Sequence, residues 1–182
     1  MRMILANIGV PMLFVQLPYL VVLLLPIIAV EAMVLRRRLS LPFRETFGGA
    51  ARANLVSTFA GFPLAWLAMF ALQDSVGGNR AWGLDTAAHR LAAVTLQAAW
   101  LIPYEGDLFW MIPAASLVLL VPCFPASVFI EGWQLRRHWP EMMANRVWSA
   151  VWLANSLSYA LLLALGAIRL YLALYWHQST QS

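Results

Sequence analysis

The sequence predicts an all-α, polytopic membrane protein: four transmembrane helices arranged as two repeated hairpins, with one interfacial amphipathic helix between them. Three observations lead there. Of 182 residues, 62% are hydrophobic and only 11% charged, far from the balance of a soluble globular domain. Long apolar stretches reach or exceed the roughly 20 residues that cross a bilayer as a helix. And a motif recurs: Glu31-Ala-Met-Val-Leu35-Arg36-Arg37 returns as Glu131-Gly-Trp-Gln-Leu135-Arg136-Arg137, and Ala53-Asn54-Leu55-Val56-Ser57 returns as Ala154-Asn155-Ser156-Leu157-Ser158. The offset is 100 residues for the first pair and 101 for the second. Leu and Ala are abundant, so the scarce residues carry the inference: the acid, the Arg pair and the Asn. A repeat of this length suits two copies of a membrane hairpin rather than a short solenoid unit.

The elements follow in order, within a single membrane domain over residues 1–182. Hairpin repeat 1 is expected over 10–73. Its first span is the nearly continuous apolar run from Val10 to Val34, interrupted by Pro11, Pro18 and Pro26 and holding Glu31 near its far end. Proline removes a backbone donor and kinks a helix, so an irregular start is expected, with the stretch before Pro18 at the surface. This run is longer than a signal-peptide core and ends in Leu35-Arg-Arg-Arg, which favours a retained span. Arg36, Arg37, Arg38 and Arg44 form a basic connection, and Pro42 suits the first turn of the next helix. The second span runs from about Phe47 to Leu72, with Arg52 at the membrane boundary and a bend at Gly61 and Pro63. Ala50, Asn54, Ser57 and Gly61 share one face of it, where small residues let another helix approach.

Residues 74–107 read as an outer loop. Asp74-Ser-Val-Gly-Gly-Asn-Arg-Ala-Trp-Gly is rich in turn residues, and Asp85 or Thr86 caps a helix expected over 85–102. His89, Arg90 and Gln97 lie on one side of that helix and Leu91, Val94, Ala98 and Leu101 on the other, as in an interfacial helix. Pro103-Tyr-Glu-Gly-Asp ends it. Hairpin repeat 2 covers 108–173: a span from about Leu108 to Gln134 with Pro113, Pro122 and Pro125, a basic connection holding Arg136, Arg137, His138 and Arg146, and a span from about Val147 to Leu172. Ala150, Ala154 and Ser158 form its ridge of small residues. Residues 174–182 are expected to be a polar tail.

The net charge of +4 comes from Arg with no Lys, and it clusters beside the spans. That pattern sets topology; it lacks the basic face with exposed readers that nucleic-acid binding needs. Short Arg-rich loops stay cytoplasmic, so both Leu-Arg-Arg connections are expected inside and both termini outside the cytoplasm of a bacterial inner membrane. Trp82, Trp100, Tyr104, Phe109, Trp110, Tyr171, Tyr175 and Trp176 gather at the expected outer boundary, and Trp133, Trp139 and Trp148 at the inner one, as interfacial belts.

Chemistry is sparse. A carboxylate in hydrocarbon costs about 2.5–3.5 kcal/mol on insertion scales, which pairing relieves. Glu31 is therefore expected to meet Arg52 or Asn54, and Glu131 to meet Arg146 or Asn155, with Ser57 and Ser158 alongside. Such a polar clasp closes each hairpin; read functionally, the same acids are proton or ion groups. Ala50, Gly61, Ala150 and Ala154 are the expected helix-packing positions. The three histidines fall on different predicted sides, which argues against a shared metal or pigment site and against an axial role for His89 or His177. Cys123 sits in an apolar run as a small hydrophobe. No His-Glu-x-x-His, Gly-x-Ser-x-Gly or phosphate-binding glycine loop is present, so the expectation is a non-enzymatic protein with no cofactor.

At Leu17-Pro-Tyr through Arg37, and at Ala53-Asn-Leu-Val-Ser57, the chain resembles small cyanobacterial filament-integrity proteins of septal junctions, which are multi-span proteins of similar length. The resemblance rests on a proline-containing apolar span ending in Glu-Ala-x-Val-Leu and basic residues, then an Asn-x-x-Ser helix, and covers little more than the first hairpin. It implies a non-enzymatic role at cell–cell junctions with no catalytic residue to carry over. The expected function is thus a structural or assembly component of a bacterial membrane complex, in contact with the bilayer and with other membrane subunits or copies of itself. The alternative is a small ion- or proton-coupled transporter or channel using Glu31 and Glu131.

Overall fold

The fold was analysed in a computed structural model, which describes residues 9–77, 80, 82–102, 104 and 106–181. The first eight residues, Gly78, Asn79 and Ala81 of the expected loop, Pro103 and Glu105 of the expected helix stop, and Ser182 lie outside the described residues.

The fold is all-α, and four of its helices are long and apolar enough to cross a membrane. The first is α1 (Met12–Leu39), the second is built from α2 (Phe43–Val56), a π-helical turn (Ser57–Gly61) and α3 (Phe62–Ser75), the third is α5 (Leu108–His138), and the fourth is α6 (Ala144–Gln181). A short α4 (Ala87–Leu96) and a two-stranded antiparallel pairing of β1 (Val10–Pro11) with β2 (Trp100–Leu101) complete it.

Several boundaries differ from expectation. Pro18 and Pro26 lie inside α1, which begins at Met12 without an irregular first part; Met12 itself is fully buried. The second span does change character at Gly61 and Pro63, as a π turn. Pro63 has no N–H to give the carbonyl four residues back, and the turn before it opens to the wider π form. The position 101 residues later is Ala164, and there α6 continues as an unbroken α-helix. The expected polar tail over 174–182 is helical as far as Gln181, where α6 ends, because nothing between Leu172 and Gln181 breaks a helix.

The chain forms two compact units. One comprises residues 1–16, 66–121 and 163–182; the other comprises 17–65 and 122–162. Each draws on both halves of the sequence, so neither coincides with the 10–73 or 108–173 segment.

In the second unit the buried positions keep one register. Glu31, Ala32, Leu35 and Leu39 are buried, and so are the residues 100 positions on: Glu131, Gly132, Leu135 and Trp139. Seven further positions from Thr46 to Gly61 are buried together with the residues 101 positions on, from Val147 to Leu162. The core of this unit joins Ala32, Leu35, Ala50, Ala53, Leu135, Val147, Ala150 and Val151. Close approach is explicit at Gly132, where a Cβ would run into the Trp148 ring, and at Gly61, where it would lie 2.7 Å from Ile130 Cδ1.

In the first unit Thr86 caps α4 by accepting from the His89 N–H. The helix expected over 85–102 is corrected to end at Leu96. Gln97 leaves helical geometry, and Trp100 and Leu101 pair with Pro11 and Val10. Tertiary partners override a local sequence that has no breaker before Pro103. Trp66 Nε1 donates to Ala99 O at 2.7 Å, Gln73 Nε2 donates to Trp100 O at 2.9 Å, and the Trp100 N–H returns a bond to Gln73 Oε1 at 3.1 Å. Gln97 Nε2 donates to Arg80 O. The segment packs into a core of Met12, Ala93, Val94, Ala98, Leu101, Met111, Ala115 and Leu119.

Candidate functional site

The second unit buries two acids, Glu31 on α1 and Glu131 on α5, each only 2% exposed. Their surroundings are built by helical spacing. On the second span, Ala50, Ala53, Asn54 and Ser57 fall on one face; on α6 the corresponding face holds Val151, Ala154, Asn155 and Ser158. Small residues on those faces bring the amides and hydroxyls within reach of the acids.

The resulting network is reciprocal and crossed. Asn54 Nδ2 donates to Glu31 Oε2 at 2.6 Å, and Asn155 Nδ2 donates to Glu131 Oε2 at 2.8 Å, so each amide serves the acid of its own half of the sequence. The serines do the opposite. Ser158 Oγ donates to Glu31 Oε1 at 2.7 Å, and Ser57 Oγ donates to Glu131 Oε1 at 2.6 Å. Four side-chain bonds therefore connect α1 to α2, α5 to α6, and each pair to the other. The two carboxyl groups also lie within hydrogen-bonding reach of one another.

Around this centre the donors are anchored. Each Asn Nδ2 also reaches the carbonyl four residues back, Ala50 O and Val151 O. Each Ser Oγ also stands 3.1–3.2 Å from the carbonyl three residues back, Asn155 O and Asn54 O. Asn155 Oδ1 is buried and has no hydrogen-bond partner.

The expected arginine partners are corrected. Arg52 and Arg146 are exposed, and Arg146 instead donates to Arg38 O at 3.1 Å. Both sit on the faces of their helices away from the acids, and a long, strongly hydrated cation gains more by leaving the core than a short amide does. Among the described residues no cation is paired with either acid. The packing positions Ala50, Gly61, Ala150 and Ala154 are all buried.

Other polar contacts carry no sequence repeat. Trp139 Nε1 donates to Glu45 Oε1 at 2.9 Å, and the Ser127 and Tyr159 hydroxyls meet at 2.9 Å. In the first unit, His89 Nδ1 lies 2.9 Å from Asp85 Oδ1, and that bond holds the exposed Asp85 carboxyl below the usual range. A cleft of about 610 Å³ is lined by Arg90, Asp107, Phe109, Trp110 and His177, with Phe109 stacked on the His177 ring. Among the described residues no group of three or more His, Cys, Asp or Glu could hold a metal ion. Cys123 is buried and free.

Gln73, Trp66, Gln97 and Tyr159 were not singled out as site residues from sequence. Each reaches a partner far along the chain, and three of those partners are main-chain atoms, which leave no trace in residue identity.

Fold and joint together define an all-α polytopic membrane protein whose helices meet through buried, mutually bonded polar side chains. Compared with known protein families, curated proteins and solved structures, the chain matches none.

Proposed function

We propose that the protein is a non-enzymatic structural or assembly component of a bacterial inner-membrane complex, built from two repeated helical hairpins with both termini outside the cytoplasm. The carrying observation is the crossed network: every carboxyl oxygen of Glu31 and Glu131 takes a bond from a neighbouring helix, two of them from the other half of the sequence. Such reciprocity is what a joint needs, since it fixes four helices relative to one another rather than one hairpin at a time. The recurring offsets of 100 and 101 residues in both motif and burial support the repeat. Arg36–Arg38 and Arg136–Arg137, closing α1 and α5, support the orientation through the preference of Arg-rich loops for the cytoplasm. Phe14, Val22, Leu25, Val121, Phe129, Tyr171 and Trp176 are broadly exposed, leaving apolar surface for lipid and for membrane subunits, whether other proteins, as at a cell–cell junction, or further copies.

Purification in mild detergent tests this directly. A stable complex or oligomer that is lost on Glu31→Ala is the expected result. A lone monomer whose vesicles carry a proton flux abolished by Glu31→Gln and Glu131→Gln would overturn it in favour of transport. That second reading, a small proton-coupled transporter, is favoured by one observation: both acids occupy a single buried site.

A further inference from the structure

The joint contains more acceptors than donors. Asn54 and Asn155 each supply an amide N–H, and Ser57 and Ser158 each supply one hydroxyl proton, to the four carboxyl oxygens. Those donors are then committed, yet the contact between the two carboxyl groups still needs a proton of its own. Asn155 Oδ1, on the amide that already serves Glu131, is a further buried acceptor without a donor. No cation among the described residues offsets the two acids, and two adjacent buried carboxylates repel without one.

The serines add a second feature. Each hydroxyl has one proton and two acceptors in range: a carboxyl oxygen at 2.6–2.7 Å and the carbonyl three residues back at 3.1–3.2 Å. Turned to the carboxyl, it stabilises the ionised acid. Turned to the carbonyl, it offers its oxygen lone pair to a protonated one. The rotor thus lets either acid gain or lose a proton without leaving a buried group unbonded, the costly outcome in a low-dielectric interior.

We infer that Glu31 and Glu131 together form a proton-binding site, holding one proton between them that Ser57 and Ser158 accommodate by rotation. One proton supplies the donor that the carboxyl pair lacks; with none, two buried carboxylates face each other with neither a donor nor a cation between them. Among the other titratable groups on these helices, the Tyr159 phenol of α6 is tied to Ser127 and the Cys123 thiol of α5 is buried. Neither is among the groups bonded to the acids, so the site is the pair itself.

Glu-selective carbon-13 labelling of the whole chain in lipid bilayers reads the loading. The sequence holds five Glu, and at neutral pH one carboxyl carbon of the five is expected at the protonated position, moving to the ionised position at alkaline pH. Glu31→Gln and Glu131→Gln, whose amides can donate across the same contact, should each abolish that signal. No protonated carboxyl in the native protein, or two, would overturn the site without needing any variant to fold. So would a signal that survives in either Gln variant. The count is independent of the assembly reading: a lone monomer on purification removes that reading and leaves this one standing.

Discussion

The two compact units both bury polar groups in an apolar chain, and they do so by different means. Around Glu31 and Glu131 side chains bond to side chains. Around residues 97–101 of the other unit, side chains of Trp66 and Gln73 bond to the main chain of Ala99 and Trp100, standing in for missing helical partners. The first arrangement lets four helices lock together. The second lets a non-helical stretch lie buried, which an apolar setting permits only if every backbone group is satisfied.

The largest effect is expected where main chain is at stake. Gln73→Leu leaves the half-buried Trp100 N–H and C=O without their side-chain partner, at up to about 1–3 kcal/mol for each unsatisfied group. Unfolding by SDS titration should show that loss, and amide exchange should rise at Trp100 and Leu101 while Asn54 and Asn155 stay protected. Equal loosening of both sets would erase the distinction between the units.

Next comes a steric asymmetry inside the joint. The residues matching Gly132 and Trp148 in the first half are Ala32 and Phe47, so a small-with-large pair stands where the other half has a larger-with-smaller one. Gly132→Ala drives a Cβ into the Trp148 ring and should cost about 1–3 kcal/mol, as overpacking does. Adding Trp148→Phe recreates the first-half pair and should restore most of it. Failure of that rescue in the same SDS titration would break the equivalence of the two halves.

This contrast explains what could be read from sequence. Spans, capping by Thr86 and the shared buried face of Asn54 and Ser57 follow from apolar periodicity and residue type, and the recurrence of scarce Glu and Asn pointed to the acids. The crossing of the serines could not be read, because one-dimensional spacing cannot say which of two equivalent halves a hydroxyl faces. Nor could the arginines be excluded, since Arg52 and Arg146 are near the acids in sequence but fall on other helical faces. The end of α4 at Leu96 was hidden for the reason that Gln73 was: its causes are carbonyls and amides that every residue carries.

A smaller effect tests whether the joint is one unit. Membrane side-chain hydrogen bonds average about 0.6 kcal/mol, so Asn54→Leu and Asn155→Leu should each cost about 1 kcal/mol or less. Because both acids share one contact, the double variant should depart from additivity by about 0.5 kcal/mol or more. Strict additivity would divide the joint into two separate clasps.

The smallest expected effect lies at the exposed start of α4, and it sets the joint against a pairing open to water. Asp85 has its folded-state pKa lowered by the His89 hydrogen bond from an ordinary value of 3.8. The contribution to the first turn of α4 is therefore present above that value and lost as pH falls below it through the lower folded value. Being fully exposed, the pair is screened by solvent and acts locally. Protection of the His89 and Arg90 amides should fall in that acid window, and Asp85→Asn should remove the pH dependence without moving the Glu-specific carboxyl signals. If those carboxyl signals shift with the substitution, the two sites are energetically linked and the separation of the units fails.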